Sequence, residues 1–261
     1  MSASPKKKVI YTALTGNYDV LKQPVVIRDD WDYICFTDRE GQDGVWQLRR
    51  ISFKGTDVER VRQVKLQPHE VLPEYQISVW MDANIRIGGN VFYEYVEKAL
   101  EMEPLFATLP HGQRDCVFEE LCKCYRTGRI SWSQAWAHLN RLMRMRMPRH
   151  FGLYETGLLL RTHHHPDVVA LDNAWWNLFK CCPIRDQLSF TPVLACPEAC
   201  GNTGRVSPFL LFGEGRNVRN VDFIEYTIHP GGGGPVLTRW SYAVRRLMVH
   251  VLWLRILCYR P

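Results

Sequence analysis

Asp82 and Asn84 are the residues whose types and spacing point most directly to chemistry. They follow ISVWM at positions 77–81, an apolar and aromatic run typical of a buried strand. Oxygen-bearing side chains two residues apart at the carboxyl end of a strand can hold a hard divalent cation, and such a cation holds a diphosphate. Asp and Asn also favour turns, so an Asx turn that only ends the strand is the alternative. Spacing alone leaves both readings open, and such triplets are more often turns.

The segments around Asp82 must position it, and they alternate between strand and helix patterns. A helix that Asp57 caps is predicted to run through Leu66, directly before the Asp82 strand. Such alternation is typical of an α/β domain with a mostly parallel sheet. The other β-branched and aromatic runs predict strands at residues 8–14, 33–37, 46–51, 105–109 and 152–161.

Several basic residues near these strands are candidate anion ligands. Arg62 and Lys65 are three positions apart on one face of the predicted helix and could reach an anion together, although such spacing more often marks a solvated basic face. His111 and Arg114 flank the predicted start of another helix, where backbone N–H groups favour anions. The three adjacent imidazoles at positions 163–165 cannot all face one ion, so a solvated turn is predicted there.

Composition and charge exclude some functions. With 261 residues and 46% hydrophobic content, the chain can form a full-sized core. The net charge of +6 is concentrated in two arginine clusters that lack the interleaved aromatics and glycines of an RNA-binding module. Phosphate ligands or an anionic membrane surface explain the excess better than nucleic acid. No apolar run follows the basic lead MSASPKKK, so it is not a secretory signal. The nine cysteines are odd in number and lack paired spacing, which fits reduced thiols in a cytosolic protein. A cytoplasmic location is therefore expected, and a peripheral position on the inner face of the membrane is left open.

The last 23 residues, 239–261, form a second segment. They are helical in period, apolar and rich in arginine, but charges interrupt them too often to span a bilayer. A basic amphipathic helix on an anionic membrane surface and a helix docked on the domain or on a second subunit both remain open, because the apolar residues are not confined to one face. The predicted domains are residues 8–235 and the tail, 236–261.

The order of motifs resembles a known family. In sequence, the chain carries IYTALTGNYD, FTD, RVRQVKLQPHEVLPEY, SVWMDANIRI, HGQRDCVFEE, GLYETGLLLR and RDQLSF. This order is similar to glycosyltransferase-like proteins once catalogued as a domain of unknown function, including plant proteins tied to seed mucilage and turgor and bacterial proteins of surface-polysaccharide loci. The resemblance covers residues 9–190 and implies a GT-A-like, Rossmann-type, mostly parallel sheet flanked by helices, with a C-terminal helix.

The resemblance also implies a reaction and its residues. It implies sugar transfer from a nucleotide-sugar donor to a glycan or lipid-linked acceptor in surface-polysaccharide synthesis. Asp82-Ala83-Asn84 stands at the D-x-D position, and a Mn²⁺ or Mg²⁺ ion would be held by Asp82, Asn84 and His229. Asp186 would be the catalytic carboxylate: a general base in an inverting enzyme, or a group that stabilises an oxocarbenium-like centre in a retaining one. Glu120 is a reserve base. The implied nucleotide and sugar ligands are Thr12, Tyr18, Asp19, Arg62, Lys65, Asp82, His111, Arg114, Arg185 and Gln187.

Two other function classes remain open. A binding module for nucleotide sugars or glycans would keep the fold without catalysis, and the neutral Asn84 favours it. A ceramidase-like hydrolase of lipid amides would need a metal-activated water, but the sequence shows neither an H-x-x-x-D nor an H-E-x-x-H framework for one.

Overall fold

The computed structural model describes residues 7–16, 20–181, 185–227 and 238–261. The strands are β1 Lys8–Ala13, β2 Asp32–Thr37, β3 Gly41–Asp43, β4 Trp46–Arg50, β5 Ile77–Met81, β6 Ile85–Ile87, β7 Phe106–Pro110, β8 Tyr154–Arg161, β9 Phe209–Leu210 and β10 Ile224–Tyr226. The helices are α1 Asp57–Leu66, α2 Pro68–Val71, α3 Val91–Glu101, α4 Val117–Arg126, α5 Trp132–Arg144, α6 Pro166–Lys180, α7 Asp186–Ala195, α8 Pro197–Cys200 and α9 Arg239–Cys258.

An eight-stranded sheet runs through the domain in the order β3-β4-β2-β1-β5-β8-β7-β9. The strands β4, β2, β1 and β5 are mutually parallel, whereas β8 is antiparallel to both β5 and β7. A two-stranded antiparallel sheet pairs β6 with β10. The predicted α/β class is confirmed as a mixed α/β fold, and the parallel half of the sheet lies around β1.

Helices cover both faces of this sheet. On one face, Ile10 and Val79 pack with α3 residues such as Phe92. On the other, Tyr11 and Trp80 pack with α1, α6 and α7. Adjacent residues of β1 and β5 thus enter different cores, as the twofold alternation of a strand requires. All five residues of β5 are buried, so the strand that ends at Asp82 is fixed from both sides.

Helix α1 brings the predicted basic residues to the sheet. Its N-cap is Thr56, one residue before the predicted Asp57. The Thr56 hydroxyl accepts from the Glu59 amide at 3.3 Å, and the Glu59 carboxylate accepts from the Thr56 amide at 2.8 Å. This capping box satisfies two N–H groups that would otherwise be unpaired. The N-cap is therefore Thr56, one position before the predicted residue. The helix ends at Leu66, as predicted, before Pro68.

The predicted solvated turn at the three histidines is wrong for His163. That side chain is fully buried, and its Nε2 lies 3.1 Å from the carbonyl oxygen of Leu72. His165 caps α6, with its Nδ1 accepting from the Asp167 amide at 3.3 Å. Only His164 of the three is exposed, because the chain turns inward on either side of it.

The predicted C-terminal helix is α9. Its inner face packs mainly on α4, in a third core cluster that also includes α5. The predicted boundary between the domain and the tail lies outside the described residues. No helix in the described part of the chain is long and apolar enough to cross a bilayer.

Candidate active site

Lys65 joins two carboxylates that are distant in sequence. Its Nζ lies 2.5 Å from Oδ2 of Asp186 and 3.1 Å from Oδ1 of Asp82. The ammonium group is fully buried, while the Asp82 side chain is 30% exposed. A buried charge is tolerated only when it is paired and hydrogen-bonded, and these two acids pair it. The structure therefore brings together three of the predicted site residues.

Three elements place these groups. Lys65 belongs to the last turn of α1, Asp82 follows the last residue of β5, and Asp186 is the first residue of α7. The N-cap residue of α7 is Arg185, so Asp186 is not the N-cap residue. A carboxylate in the first turn of a helix is still favoured by the helix dipole. Thr156 of β8 completes the cluster by donating its hydroxyl to Oδ2 of Asp186 at 3.0 Å.

The surroundings keep Asp186 ionised. Burial alone would raise the pKa of Asp186, but the charges of Arg62 and Lys65 and the hydrogen bond from Lys65 hold that pKa well below its usual range. Nε of Arg62 lies 3.6 Å from the same carboxylate oxygen. Asp186 is therefore an anion at neutral pH, and a weak proton acceptor.

The two oxygens of Asp82 face different surroundings. Oδ1 accepts from the indole N–H of Trp80 at 2.8 Å and from Lys65. Oδ2 faces Gly157 of β8, where an added Cβ would lie 3.3 Å from it. The Asp82 amide donates to the carbonyl oxygen of Gly157 at 2.9 Å. A residue without a side chain at 157 thus lets β8 approach the end of β5 and leaves Oδ2 accessible.

The chemistry of Asn84 fits a hard cation. Its amide N–H donates to the carbonyl oxygen of Thr227 at 2.8 Å. Its Oδ1 is buried and has no hydrogen-bond partner among the described residues. A buried oxygen without a partner costs free energy unless a ligand, a water molecule or an ion satisfies it. Asp82 and Asn84 together present a carboxylate oxygen and an amide oxygen, the ligand types that Mg²⁺ and Mn²⁺ accept.

Of the other predicted ligands, Thr12 lies beside this site. Thr12, at the end of β1, is buried, and its hydroxyl has no protein partner in the described ranges. It lines a small cleft together with Lys22, Asp82 and Ala83. The predicted ligands Tyr18, Asp19 and His229 lie outside the described residues.

A second polar cluster contains the predicted residues His111, Arg114 and Glu120. Nε of Arg114 donates to Oε2 of Glu120 at 2.8 Å, and the Cys124 thiol lies 3.2 Å from the other oxygen. Nδ1 of His111 accepts from the Arg114 amide at 3.0 Å. Burial and the charge of Arg114 lower the pKa of His111, so this imidazole is neutral. Both oxygens of Glu120 have protein partners and the residue is buried, which favours a role in holding Arg114 over proton transfer.

Arg185 and Gln187 flank Asp186 at the start of α7. The positive charge of Arg185 lowers the pKa of both Asp186 and His111. The amide of Gln187 donates to the carbonyl oxygen of Tyr154 at 3.0 Å and so ties α7 to the start of β8.

Glu155 was not predicted from the sequence. It lies on β8 two residues before Gly157, in the stretch between Glu155 and Leu160 where the pairing of β8 with β7 is irregular. Burial raises the pKa of Glu155, and the negative charge of Asp82 contributes in the same direction. The backbone N–H groups of Gly112 and Val218 face its carboxylate. The sequence could have indicated Glu155 as a candidate site residue, because in GLYETGLLLR this charged residue interrupts an apolar strand.

One other group of side chains has metal-ligand chemistry. Asp115, Glu119 and His150 hold ligand atoms within 4.8 Å of one another at the start of α4. Nδ1 of His150 lies 2.8 Å from Oδ1 of Asp115. Asp115 and His150 are exposed, and exposed acidic groups of this kind are common without an ion.

By its fold and this site, the chain is a mixed α/β protein with a polar site at the carboxyl end of β5. A family model, "TOD1/MUCI70, glycosyltransferase-like domain", matches residues 34–198, more than half of the chain. The chain therefore belongs to the TOD1/MUCI70 glycosyltransferase-like family, and its predicted family is confirmed. No curated protein matches it by sequence.

Solved glycosyltransferase structures are among its structural neighbours. The apo structure of the bifunctional glycosyltransferase WbbM aligns with 96% of this chain and 45% of its own, at 11% identity and a TM-score of 0.47. Mouse xyloside xylosyltransferase 1, in its apo form, aligns with 72% of this chain and 81% of its own, at 10% identity and a TM-score of 0.41. The chain thus spans less than half the length of WbbM.

Proposed function

We propose that this chain transfers a sugar from a nucleotide-sugar donor to a glycan or lipid-linked acceptor, as part of surface-polysaccharide synthesis. The observation that supports this most is the cluster of Asp82, Lys65 and Asp186 at the end of β5, in a chain of a glycosyltransferase-like family. Ligands of open α/β sheets bind at the carboxyl ends of the strands, which is where this cluster lies.

In this proposal, Asp82 and Asn84 would hold a Mn²⁺ or Mg²⁺ ion. Such an ion would supply Lewis-acid chemistry that neutralises the charge of the diphosphate. Arg62 and Arg185 add positive charge beside Asp186, where phosphate oxygens can be bound. Thr12 supplies a hydroxyl with no protein partner among the described residues to the nucleotide.

The reaction breaks the bond between the anomeric carbon and the phosphate oxygen, and the leaving nucleoside diphosphate keeps the electron pair. The acceptor oxygen forms the new bond and loses its proton. Glu155 is our candidate for the group that takes this proton in an inverting reaction, because burial raises its pKa toward the working pH. Asp186, held ionised by Lys65, stabilises the positive charge that develops on the sugar and keeps Lys65 in place.

Residues 8–235 would form the catalytic domain and residues 236–261 a separate tail. We place the protein in the cytoplasm, in position to act on an acceptor at the inner face of the membrane.

Ligand-dependent thermal unfolding tests the donor class. The purified protein is heated with UDP, GDP or CDP, each with and without Mn²⁺. A nucleotide at 100 times its Kd stabilises the native state by about 2.7 kcal/mol, or about 5–10 °C for a chain of this size. We expect one nucleotide to raise the midpoint only with Mn²⁺, and we expect Asp82→Asn to abolish the effect.

The exposed Asp29→Asn is the matched control and should retain the shift. An unchanged shift in Asp82→Asn, or no shift with any nucleotide, would contradict the proposal. Nucleotide binding without release of sugar from any donor would favour the non-catalytic binding module instead, a reading that the neutral side chain of Asn84 supports.

A further inference from the structure

Helix α9 has two apolar faces, and among the described residues only one of them contacts the rest of the protein. Val249, Leu252 and Ile256 are buried against α4 and its neighbours. The helix is also anchored by Arg245, whose guanidinium donates to the carbonyl oxygens of Tyr125 and Ile130 at 2.8 and 3.1 Å. The inner face is therefore held by packing in the third core cluster and by hydrogen bonds to the end of α4 and the segment after it.

The outer face carries large apolar side chains exposed to solvent. Trp240 is 82% exposed, Leu247 69% and Leu254 64%. At about 100° of rotation per residue, spacings of four and three residues keep these positions on one stripe along the helix. Val244 and Val251 lie on the same stripe. A contiguous apolar surface of this kind marks an interaction site.

The charges around this stripe have one sign. The segment 239–261 contains five arginines and no acidic residue, so it accounts for five of the chain's six net positive charges. Arg239 and Arg246 flank one side of the stripe and are exposed. On the other side, Arg255 lines a shallow depression together with Arg144 and Tyr259. A partner for this face must therefore offer both an apolar interior and negative charge.

We propose that the outer face of α9 docks on an anionic membrane surface, with the helix parallel to the bilayer. The apolar stripe would enter the boundary between headgroups and acyl chains, and the flanking arginines would contact lipid phosphates. A helix of 20 residues covers about 30 Å of surface in this orientation. A second copy of the chain is a poorer partner, because pairing two such faces would bring their arginines together. This inference does not depend on the catalytic proposal.

Flotation with lipid vesicles tests this docking. The full chain is mixed with vesicles of phosphatidylcholine alone or with 30% phosphatidylglycerol. We expect flotation only with the anionic vesicles, weakened by high salt. The double variant Leu247→Glu/Leu254→Glu should lose about tenfold or more of the partitioning, because two apolar side chains no longer enter the bilayer. Bound protein should also show a blue-shifted tryptophan emission that decreases in Trp240→Phe.

The matched control is Met102→Glu/Val20→Glu, since both residues are 69% exposed and lie outside α9. It should float as the wild type does. Equal loss in both double variants, or no binding of the wild type to anionic vesicles, would overturn the proposal. So would a concentration-dependent dimer in sedimentation that the α9 variant converts to a monomer, because the stripe would then pair two copies.

Discussion

Lys65 and Asp186 are separated by 121 residues and form a buried ion pair, with Nζ 2.5 Å from Oδ2. The backbone of Lys65 is fixed as well, because its carbonyl oxygen accepts from Arg161 at 3.0 Å. Arg161 is itself paired with the buried Asp172 at 3.2 Å. The position of the Lys65 ammonium is therefore determined by the protein, and any ligand at Asp82 meets a pre-arranged set of charges.

The ion pair predicts a strong dependence of stability on Lys65. Lys65→Met should lower the free energy of unfolding by about 3–5 kcal/mol, because it removes the cation that lies closest to the buried Asp186. Lys65→Met combined with Asp186→Asn should recover part of this loss. Urea unfolding of the two single variants and the double variant gives the coupling free energy.

Arg49→Met serves as the control for this cycle, because Arg49 pairs with Glu74 at 2.7 Å near the surface. Its cost should stay within about 1 kcal/mol. Strictly additive effects of Lys65→Met and Asp186→Asn would show that the two side chains do not interact in solution.

We expect a substitution at Gly157 to impair ligand binding while changing the free energy of unfolding little. An added Cβ would lie 3.2 Å from Cδ1 of Ile85 and 3.3 Å from Oδ2 of Asp82, closer than ordinary contacts. Gly157→Ala should therefore displace the Asp82 carboxylate by a few tenths of an ångström. We expect loss of the Mn²⁺-dependent nucleotide shift, with a cost of only about 1 kcal/mol in stability, at the low end of the range for overpacking. At Gly89 the same substitution meets only Phe223 Cβ at 3.9 Å, so Gly89→Ala should bind as the wild type does.

Much of this architecture could be predicted because it depends on local patterns. The apolar run of β5 and the acid that ends it gave the strand and the position of Asp82. The end of α1 at Leu66 followed from Pro68. Such signals act over a few residues, and the tertiary structure did not override them.

The pairing of side chains could not be predicted in the same way. Lys65 was expected to face a diphosphate, and its contacts with Asp82 and Asp186 depend on how α1 and α7 meet across β8. Glu155 was missed because its raised pKa arises from burial and from Asp82, which is a neighbour only in the fold. The burial of His163 likewise depends on the distant Leu72.

We expect His138 to make the free energy of unfolding depend on pH. It is buried on α5, with Nε2 3.2 Å from the carbonyl oxygen of Leu188 in α7, and burial lowers its pKa to about 4. The unfolded chain, with a His pKa of about 6.5, binds more protons between these values, so lowering the pH through this window removes stability from the native state. The free-energy advantage of wild type over His138→Gln should therefore shrink by about 2 kcal/mol between pH 7.5 and pH 5. Denaturant unfolding at both pH values measures it.

The exposed His164→Gln provides the comparison and is measured at the same two pH values. A constant advantage of wild type over His138→Gln would show that His138 titrates in the native state as it does in the unfolded chain, and an advantage that grows toward pH 5 would show that it is already protonated in the native state.

We expect substitutions of Glu155 and Asp186 to change the pH profile of sugar transfer in different ways. A general base must be deprotonated, and burial raises the pKa of Glu155, so the acid limb of kcat/KM should lie above the usual glutamate pKa of about 4.3. Glu155→Gln should lower kcat by about 10²–10⁴ and remove this limb. Asp186→Asn should also lower kcat but leave the limb in place, since Lys65 and Arg62 already hold Asp186 ionised. The measurement is the pH dependence of donor turnover with the nucleotide that thermal unfolding identifies.

An acid limb that persists in Glu155→Gln and disappears in Asp186→Asn would assign the general base to Asp186. It would also require that substrate binding separates Asp186 from Lys65, because a carboxylate held by that ammonium is too weak a base to take the acceptor proton.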